Sequence, residues 1–153
     1  MCKIREYEVQ DVEEIISLGR LMHEEGAYSF LPYEPNKLKL LLYQFKVTGN
    51  GNVWIGFEND IIVGMISVFI TEYFFCYEKI VQDLVLYVHP DFRNKNSTLA
   101  IKLIKSAEQW AKFNGAKEFC PASSISISSD KVAKLYTFLK YETVGHLFKK
   151  RLQ

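Results

Sequence analysis

One stretch of the sequence decides the fold: Asp83-Leu-Val-Leu-Tyr-Val-His-Pro-Asp-Phe-Arg-Asn-Lys-Asn-Ser97. It has the pattern of an apolar strand, a short turn rich in Asn and Lys, and the start of a helix that ends at Asn114-Gly115. The first backbone N–H groups of a helix have no partner inside the helix and carry the positive end of its dipole. The stretch therefore predicts a site where an anion such as a phosphate group can bind.

Size and composition indicate one globular domain spanning residues 1–153, with 48% hydrophobic and 24% charged residues. The longest apolar run, residues 61–70, is too short to cross a bilayer, and no secretory signal opens the chain, so we expect no membrane contact. Three widely spaced cysteines, Cys2, Cys76 and Cys120, suit neither a disulfide framework nor a zinc site. We expect a cytoplasmic protein without a metal.

The charges are unevenly distributed, although the net charge is only +1. Residues 1–35 hold three basic and eight acidic side chains, whereas residues 131–153 hold six basic and one acidic. A basic end suits a polyanionic cofactor and an acidic end suits a cationic acceptor, but two solvated faces give the same pattern. A basic patch of this size gives little support to nucleic-acid binding.

The apolar periodicities predict ten elements in the order β-α-α-β-β-β-α-β-α-β. Asp11 is the predicted N-cap of the first helix, with Glu14 completing a capping box. The second helix is predicted to open at Pro35-Asn36 and the third to run over residues 97–113. The predicted strands cover residues 3–9, 53–57, 61–73, 80–88, 117–121 and 144–152, and the last helix covers 131–139.

This order of elements, together with the turn after the central strand, resembles the Gcn5-related N-acetyltransferase (GNAT) superfamily. Its signature there is Gln or Arg, two residues, Gly, one residue, then Gly or Ala. Arg93 matches the first position, whereas Asn96 and Thr98 replace the two small residues, and Asn94 stands where Gly is common. The resemblance implies a mixed α/β fold with a mostly antiparallel central sheet flanked by helices.

A second motif of the superfamily is matched in the last predicted helix. Ala133, Leu135, Tyr136 and Tyr141 stand at its characteristic positions, and Lys140 replaces the usual Gly, so this helix must end differently. Because both motifs and the element order agree, the resemblance spans nearly the whole chain.

The resemblance implies that acetyl-CoA is the co-substrate and that the turn holds its pyrophosphate. Asn tolerates positive φ better than other non-glycine residues, so the turn can still present its N–H groups, although the Thr98 Cβ predicts weaker binding. An ordinary connection without a ligand is the alternative. The implied cofactor-binding residues are Leu86, Tyr87, Val88, Arg93, Asn94, Lys95, Asn96, Ser97 and Thr98, the first three lining the pantetheine arm beside a family-typical bulge.

By the same resemblance, Tyr136 is the general acid that protonates the leaving thiolate, unless it is only a core aromatic. Asp83 is the leading candidate for the base that deprotonates the acceptor, unless it is a surface charge at a strand end. Glu24, Glu25 and Tyr28 are candidate acceptor-binding residues, and no spacing ties any of the three histidines to the site. The aromatic residues at 28, 30, 33 and 73–75 either wall the acceptor pocket or, as we favour, form core or homodimer contacts.

We therefore expect an acyltransferase, specifically an acetyltransferase, that moves the acetyl group of acetyl-CoA directly to a primary amine of a cationic small molecule or protein. The developing oxyanion is expected to bind a backbone N–H near Val88. Two other classes remain open. One is a binding protein of this fold with a degraded pyrophosphate loop, and the other is an unrelated nucleic-acid-binding fold.

Overall fold

A five-stranded sheet lies at the centre of the computed structural model, which describes residues 2–95, 97–122, 127 and 129–153. Neighbouring strands follow chain order, so the first four are antiparallel and the last is parallel to the fourth. The strands are β1 (Lys3–Glu6), β2 (Gly51–Glu58), β3 (Ile61–Glu72), β4 (Lys79–Val88) and β5 (Glu118–Cys120).

Four helices cover the two faces of the sheet: α1 (Val12–Glu25), α2 (Pro35–Thr48), α3 (Ser97–Phe113) and α4 (Ser129–Phe138). One hydrophobic core lies between the sheet and α1 with α2, and a second lies between the sheet and α3 with α4. This arrangement confirms the predicted fold class and the predicted element order as far as α4. In the part of the chain that the structure describes, no helix is both long and apolar enough to span a bilayer.

Close packing of α3 on the sheet fixes where its N-terminus lies. Leu99, Leu103 and Ile104 of α3 are fully buried against β2 and β3. A Cβ added at Gly56 would lie 2.4 Å from a Leu99 methyl carbon, so a side chain at this position would push the helix outward. The first turn of α3 is thereby held at the end of the central strands, where an anion site was predicted.

The predicted capping box of Asp11 and Glu14 is wrong. The Asp11 carboxylate caps no N–H of α1 and instead accepts from the Glu8 N–H at 2.7 Å and from the Arg5 guanidinium at 2.7 and 2.9 Å. Glu14 accepts from the Ile62 N–H at 2.8 Å, which joins α1 to β3. A guanidinium that can bind both carboxylate oxygens is a stronger partner than one helix N–H, so Asp11 points back along the chain.

The predicted closing strand over residues 144–152 is also wrong. Residues 141–153 form no strand, and their apolar side chains Val144, Leu147 and Phe148 are exposed. Gly145 weakens any strand here, and the run Lys149-Lys150-Arg151 favours contacts outside the sheet. The resulting C-terminal tail (residues 142–153) is used below under that name.

The Arg5–Asp11 pair should be a measurable source of stability. Asp11 is buried and the neighbouring guanidinium lowers the pKa of its carboxyl. Replacing Asp11 by Ala should lower the free energy of unfolding by about 2 to 3 kcal/mol, because Arg5 and the Glu8 N–H lose a charged acceptor. The exposed pair of Glu13 and Lys39 is the control, and Glu13→Ala should cost less than about 1 kcal/mol. Equal losses in urea unfolding would contradict this assignment.

Candidate active site

A β-bulge in β4 sets the geometry of the site. Ser67 of β3 pairs with Val85, and Val68 pairs with Asp83, so Leu84 is an extra residue without a partner on β3. The bulge reverses the alternation of side chains along β4. As a result, Leu86 and Val88 pack into the core on the α3–α4 face.

Among the residues that the structure describes, the edge of β4 that follows the bulge has no partner in β5. Residue pairs between the two strands end at Gln82 and Cys120, and the next N–H, that of Ala122, donates to the Asp83 carboxylate at 2.9 Å. The two strands therefore separate at Asp83. The sequence predicted this gap only through the family resemblance, since no local pattern marks a bulge.

Backbone polar groups of Val88 face the open edge. The His89 N–H donates to the Val63 carbonyl of β3 at 2.8 Å, and alternate residues of a strand direct their N–H and C=O groups to opposite sides. The amide groups of Val88 consequently point away from β3. Its carbonyl accepts from Arg93 Nε at 2.8 Å, and its N–H lies on the same open side.

Asp83 and Tyr136, predicted separately as base and acid, lie close together at the point where the strands separate. Tyr136 is buried, and its hydroxyl finds no hydrogen-bond partner among the residues that the structure describes. Burial, followed by the charge of Asp83, raises the pKa of the Tyr136 phenol. A buried hydroxyl without a partner is destabilising, so this position within the described residues needs an explanation.

The Asp83 carboxyl has an unusual pKa for its type. Burial raises it from 3.8 to about 6, and the hydrogen bond from the Ala122 N–H only partly offsets that effect. The group is thus ionised at neutral pH and can accept a proton near the operating pH of an enzyme. The alternative of a solvated charge at a strand end is wrong, because Asp83 lies within the sheet and is only partly exposed.

Arg93 has a different environment from the one expected for a cofactor ligand. Its guanidinium binds both carboxylate oxygens of Glu25 at the end of α1, one of them at 2.7 Å, and the same carboxylate accepts from the Tyr87 hydroxyl at 2.7 Å. Arg93 holds the pKa of the Glu25 carboxyl below its usual range, despite partial burial. We call residues 93–98 the cofactor turn, after their predicted role. Glu25 is bound by Arg93 of this turn, and its carboxylate is not directed at an acceptor.

The turn itself is exposed where ligands would approach. Asn94, Lys95 and Thr98 are exposed, and Ser97 begins α3, whereas the prediction for Asn96 falls outside the described residues. The Lys95 ammonium lies 5.9 Å from the centre of the Phe92 ring, in the same turn. Positive charge and the backbone N–H groups of a helix N-terminus suit a phosphate.

The remaining predicted residues lie around the end of α1. Glu24 is exposed on the last turn of that helix, and Tyr28 follows in the loop that joins α1 to α2. The aromatic residues do not share one pocket wall or one core. Phe74 is fully exposed at the turn between β3 and β4, whereas the Tyr33 hydroxyl donates to the Ile16 carbonyl at 2.7 Å.

The contact that sequence reasoning missed is the one between Glu25 and Arg93. The two residues are 68 positions apart, and each has an ordinary local setting, an acidic helix end and a polar turn. No periodicity or motif joins them. Only the antiparallel sheet, which brings α1 over the end of β4, places them together.

The comparisons with known proteins agree with this geometry. A family model described as the acetyltransferase (GNAT) family matches residues 18–137. No curated protein matches the sequence. A solved transcriptional regulator from Bacillus halodurans C-125 is 17% identical with a TM-score of 0.78, and the match covers 99% of this chain and 100% of that one.

Two further solved structures are similar in fold. AAC(6')-Iy in complex with the bisubstrate analogue CoA-S-monomethyl-acetylneamine is 17% identical with a TM-score of 0.74, covering 100% of this chain and 99% of that one. An aminoglycoside acetyltransferase, meta-AAC0020 from an uncultured soil metagenomic sample, in complex with trehalose, is 21% identical with a TM-score of 0.73, covering 98% and 96%. At these identities the likeness shows a shared fold.

The pairing of Glu25 with Arg93 should support the cofactor turn. Glu25→Gln should weaken acetyl-CoA binding about three- to tenfold by isothermal titration, because the turn loses its charged anchor to α1. Arg93→Lys should act in the same direction, since an ammonium cannot bind both carboxylate oxygens. Glu24→Gln, one position away on an exposed side chain, is the matched control and should leave the affinity unchanged. Tighter binding by Glu25→Gln would mean that the released guanidinium is itself a phosphate ligand.

Proposed function

Because the chain belongs to the acetyltransferase (GNAT) family and is therefore an N-acetyltransferase, we propose that it moves the acetyl group of acetyl-CoA directly onto a primary amine of a cationic acceptor. The observation that carries this proposal is the buried Tyr136 hydroxyl, which has no hydrogen-bond partner among the described residues and lies near enough to Asp83 for that charge to raise its pKa, at the point where β4 and β5 separate. Both groups have raised pKa values. Asp83 is suited to accept a proton and Tyr136 is suited to donate one.

The described residues fit acetyl-CoA along one continuous path. The edge of β4 beyond Asp83 offers backbone groups of Leu86 and Val88 to the pantetheine arm, and the start of α3 offers N–H groups to the pyrophosphate. Lys95 adds positive charge beside the phosphates. When bound, acetyl-CoA supplies the acetyl group as a thioester.

Asp83 is proposed to act as the base. A primary amine reaches the site as an ammonium ion and must lose a proton before its nitrogen can form a bond to the acetyl carbon. With a pKa of about 6, Asp83 is ionised at neutral pH and accepts that proton. The Ala122 N–H donates to one carboxylate oxygen, Oδ1, at 2.9 Å and holds the carboxylate at this position.

Val88 and Tyr136 are proposed to stabilise the negative charges that develop on the carbonyl oxygen and on the departing sulfur. As the new C–N bond forms, negative charge develops on the carbonyl oxygen, where the Val88 N–H can donate to it. The C–S bond then breaks, and the Tyr136 hydroxyl protonates the departing thiolate. Transfer is direct, so no cysteine is needed as a nucleophile.

The nearness of Asp83 to Tyr136 couples the two proton transfers. The ionised Asp83 contributes to the raised pKa of Tyr136, which keeps the phenol protonated while the amine approaches. Once Asp83 has taken the amine proton, that contribution disappears and Tyr136 becomes a stronger acid. The acid is thereby strengthened only after the base has acted.

The acceptor is proposed to be cationic because the end of α1 is acidic. Glu24 is exposed there and Tyr28 follows it, while Glu25 is already bound to Arg93. Several similar structures are described as aminoglycoside acetyltransferases, whose name denotes acceptors of this charge class. We also propose a cytoplasmic location, which suits three cysteines that form no disulfide in the part of the chain that the structure describes.

Tyr136→Phe tests catalysis against the alternative of a binding protein with a degraded pyrophosphate loop. Thiol release from acetyl-CoA in the presence of a panel of polyamines, aminoglycosides and lysine peptides should fall about 10²- to 10³-fold in the variant. The fold should be at least as stable, because the lost hydroxyl has no partner among the described residues. Acetyl-CoA binding without amine-dependent thiol release in the parent chain would favour the binding protein.

Asp83→Asn tests the base through the pH dependence. If the bound ammonium ion is deprotonated by Asp83, kcat/KM of the parent should rise up to pH about 6 and then stay level until the amine itself titrates, near pH 10 for a lysine-like amine. Asp83→Asn can use only the neutral form of the amine. Its kcat/KM should therefore be lower than that of the parent and should rise about tenfold per pH unit until the amine itself titrates. If kcat/KM of Asp83→Asn were also independent of pH above about pH 6, Asp83 would be ruled out as the base.

The same variant should gain stability. Because the folded chain raises the Asp83 pKa above its ordinary value of 3.8, ionisation favours the unfolded chain, and stability falls as the pH rises from about 4 to 6. Asn stays neutral and still accepts a hydrogen bond from the Ala122 N–H. The free energy of unfolding of Asp83→Asn at pH 8 should therefore be about 1 to 3 kcal/mol higher than that of the parent. Asp60→Asn, at an exposed turn where φ is 62°, is the matched control.

A further inference from the structure

The C-terminal tail ends on the loop between α1 and α2. The Lys149 ammonium lies 4.8 Å from the centre of the Tyr28 ring, and the Arg151 guanidinium carbon lies 3.6 Å from the centre of the Phe30 ring. Both distances are within the 6 Å or so over which a cation is attracted to an aromatic face. We call residues 26–34 the aromatic loop.

The two contacts are matched in spacing. Tyr28 and Phe30 are separated by one residue, and so are Lys149 and Arg151. Tyr28 and Phe30 lie in a turn, in which the Leu31 N–H donates to the Tyr28 carbonyl at 3.0 Å. In the structure the two rings hold two positive charges that are carried two positions apart on one chain.

The loop is built to attract cations. Its third ring, that of Tyr33, holds the Arg20 guanidinium 4.7 Å from its centre, and the exposed carboxylates of Glu24 and Glu34 stand at its two ends. Aromatic faces between carboxylates carry negative potential, which favours ligands with several positive charges.

The loop also lies next to the proposed active site. Two residues separate Tyr28 from Glu25, so their Cα atoms are at most about 11 Å apart. Glu25 binds Tyr87 of β4 and Arg93 of the cofactor turn. A ligand on the aromatic loop is therefore close to the end of the strand that is expected to hold acetyl-CoA.

The tail is held weakly enough to be displaced. Lys149 and Arg151 stay exposed, as do Leu147 and Phe148 beside them, and none of residues 141–153 is in a strand. Tyr28 and Phe30 remain 38% and 50% exposed beneath their cations. Two exposed cation–π contacts change an equilibrium only about five- to thirtyfold.

We propose that the aromatic loop is a binding site for two positive charges of the acceptor, and that the basic tail of the same chain occupies it until a polycation such as a linear polyamine displaces the tail. That the ligand is the acceptor rests on the proposed function, whereas the competition between tail and polycation does not. The tail then acts as an internal competitor, which raises the acceptor concentration needed for binding.

The test follows backbone amide signals by ¹⁵N NMR, with spermidine as the probe and n-butylamine as a control with a single charge. The paired substitution Lys149→Gln and Arg151→Gln keeps the tail but removes its charges, so it should move the signals of residues 27–31. Spermidine should move those same signals, at a half-point about five- to thirtyfold lower in the paired variant than in the parent. n-Butylamine should move them little in either chain.

Ring variants locate the effect. Phe30→Leu in the paired variant keeps an apolar side chain without an aromatic face, so it should remove most of the gained affinity. Phe74→Leu, at a fully exposed ring far along the chain, should not. The proposal is overturned if the paired variant leaves residues 27–31 unmoved, or if spermidine has the same half-point in both chains.

The same spectra separate this proposal from the proposed function. Acetyl-CoA should move the signals of residues 86–88 and 93–98, which lie on the strand edge and the cofactor turn. If those signals stay still while spermidine displaces the tail, acetyl transfer fails and the cation site stands. If acetyl-CoA moves them and spermidine does not reach the aromatic loop, the cation site fails and acetyl transfer stands.

Discussion

Between Gln82 and Leu84, strand β4 loses its parallel partner on one side and gains an extra residue against its antiparallel partner on the other. Everything that gives this chain its chemistry depends on that change. The lost pairing exposes backbone groups that an extended ligand can use, and the extra residue reverses which face each later side chain occupies. Asp83 lies at the change itself, which is why it is both close to α4 and bonded to the first N–H beyond β5.

Local signals were sufficient to predict most of the fold. The bounds of α3 followed from an apolar stripe that ends at Asn114-Gly115, and the end of β4 followed from Pro90. Asp83 and Tyr136 could be proposed one at a time, each from its own motif. Their proximity could not, because it depends on how α4 packs over the separated strands.

The features that sequence reasoning missed all depend on distant partners. Asp11 prefers Arg5 to the helix that follows it, and Glu25 prefers Arg93 to solvent, although neither preference has a local signature. The tail shows the opposite error. Residues 144–152 have strand-like composition, but a strand also needs a neighbouring strand to pair with. Instead, Lys149 and Arg151 of the tail contact aromatic rings outside the sheet.

The bond between Glu25 and Arg93 also limits how this chain can be engineered or diverge. Acceptor specificity is often treated as a property of exchangeable segments, and the end of α1 with its loop would be the natural segment to exchange. Here that segment carries one half of an ion pair whose other half supports the cofactor turn. Under the proposed function, a graft that changes position 25 would therefore alter the binding of both substrates, unless position 93 changed with it. Positions 25 and 93 would then have to be exchanged together.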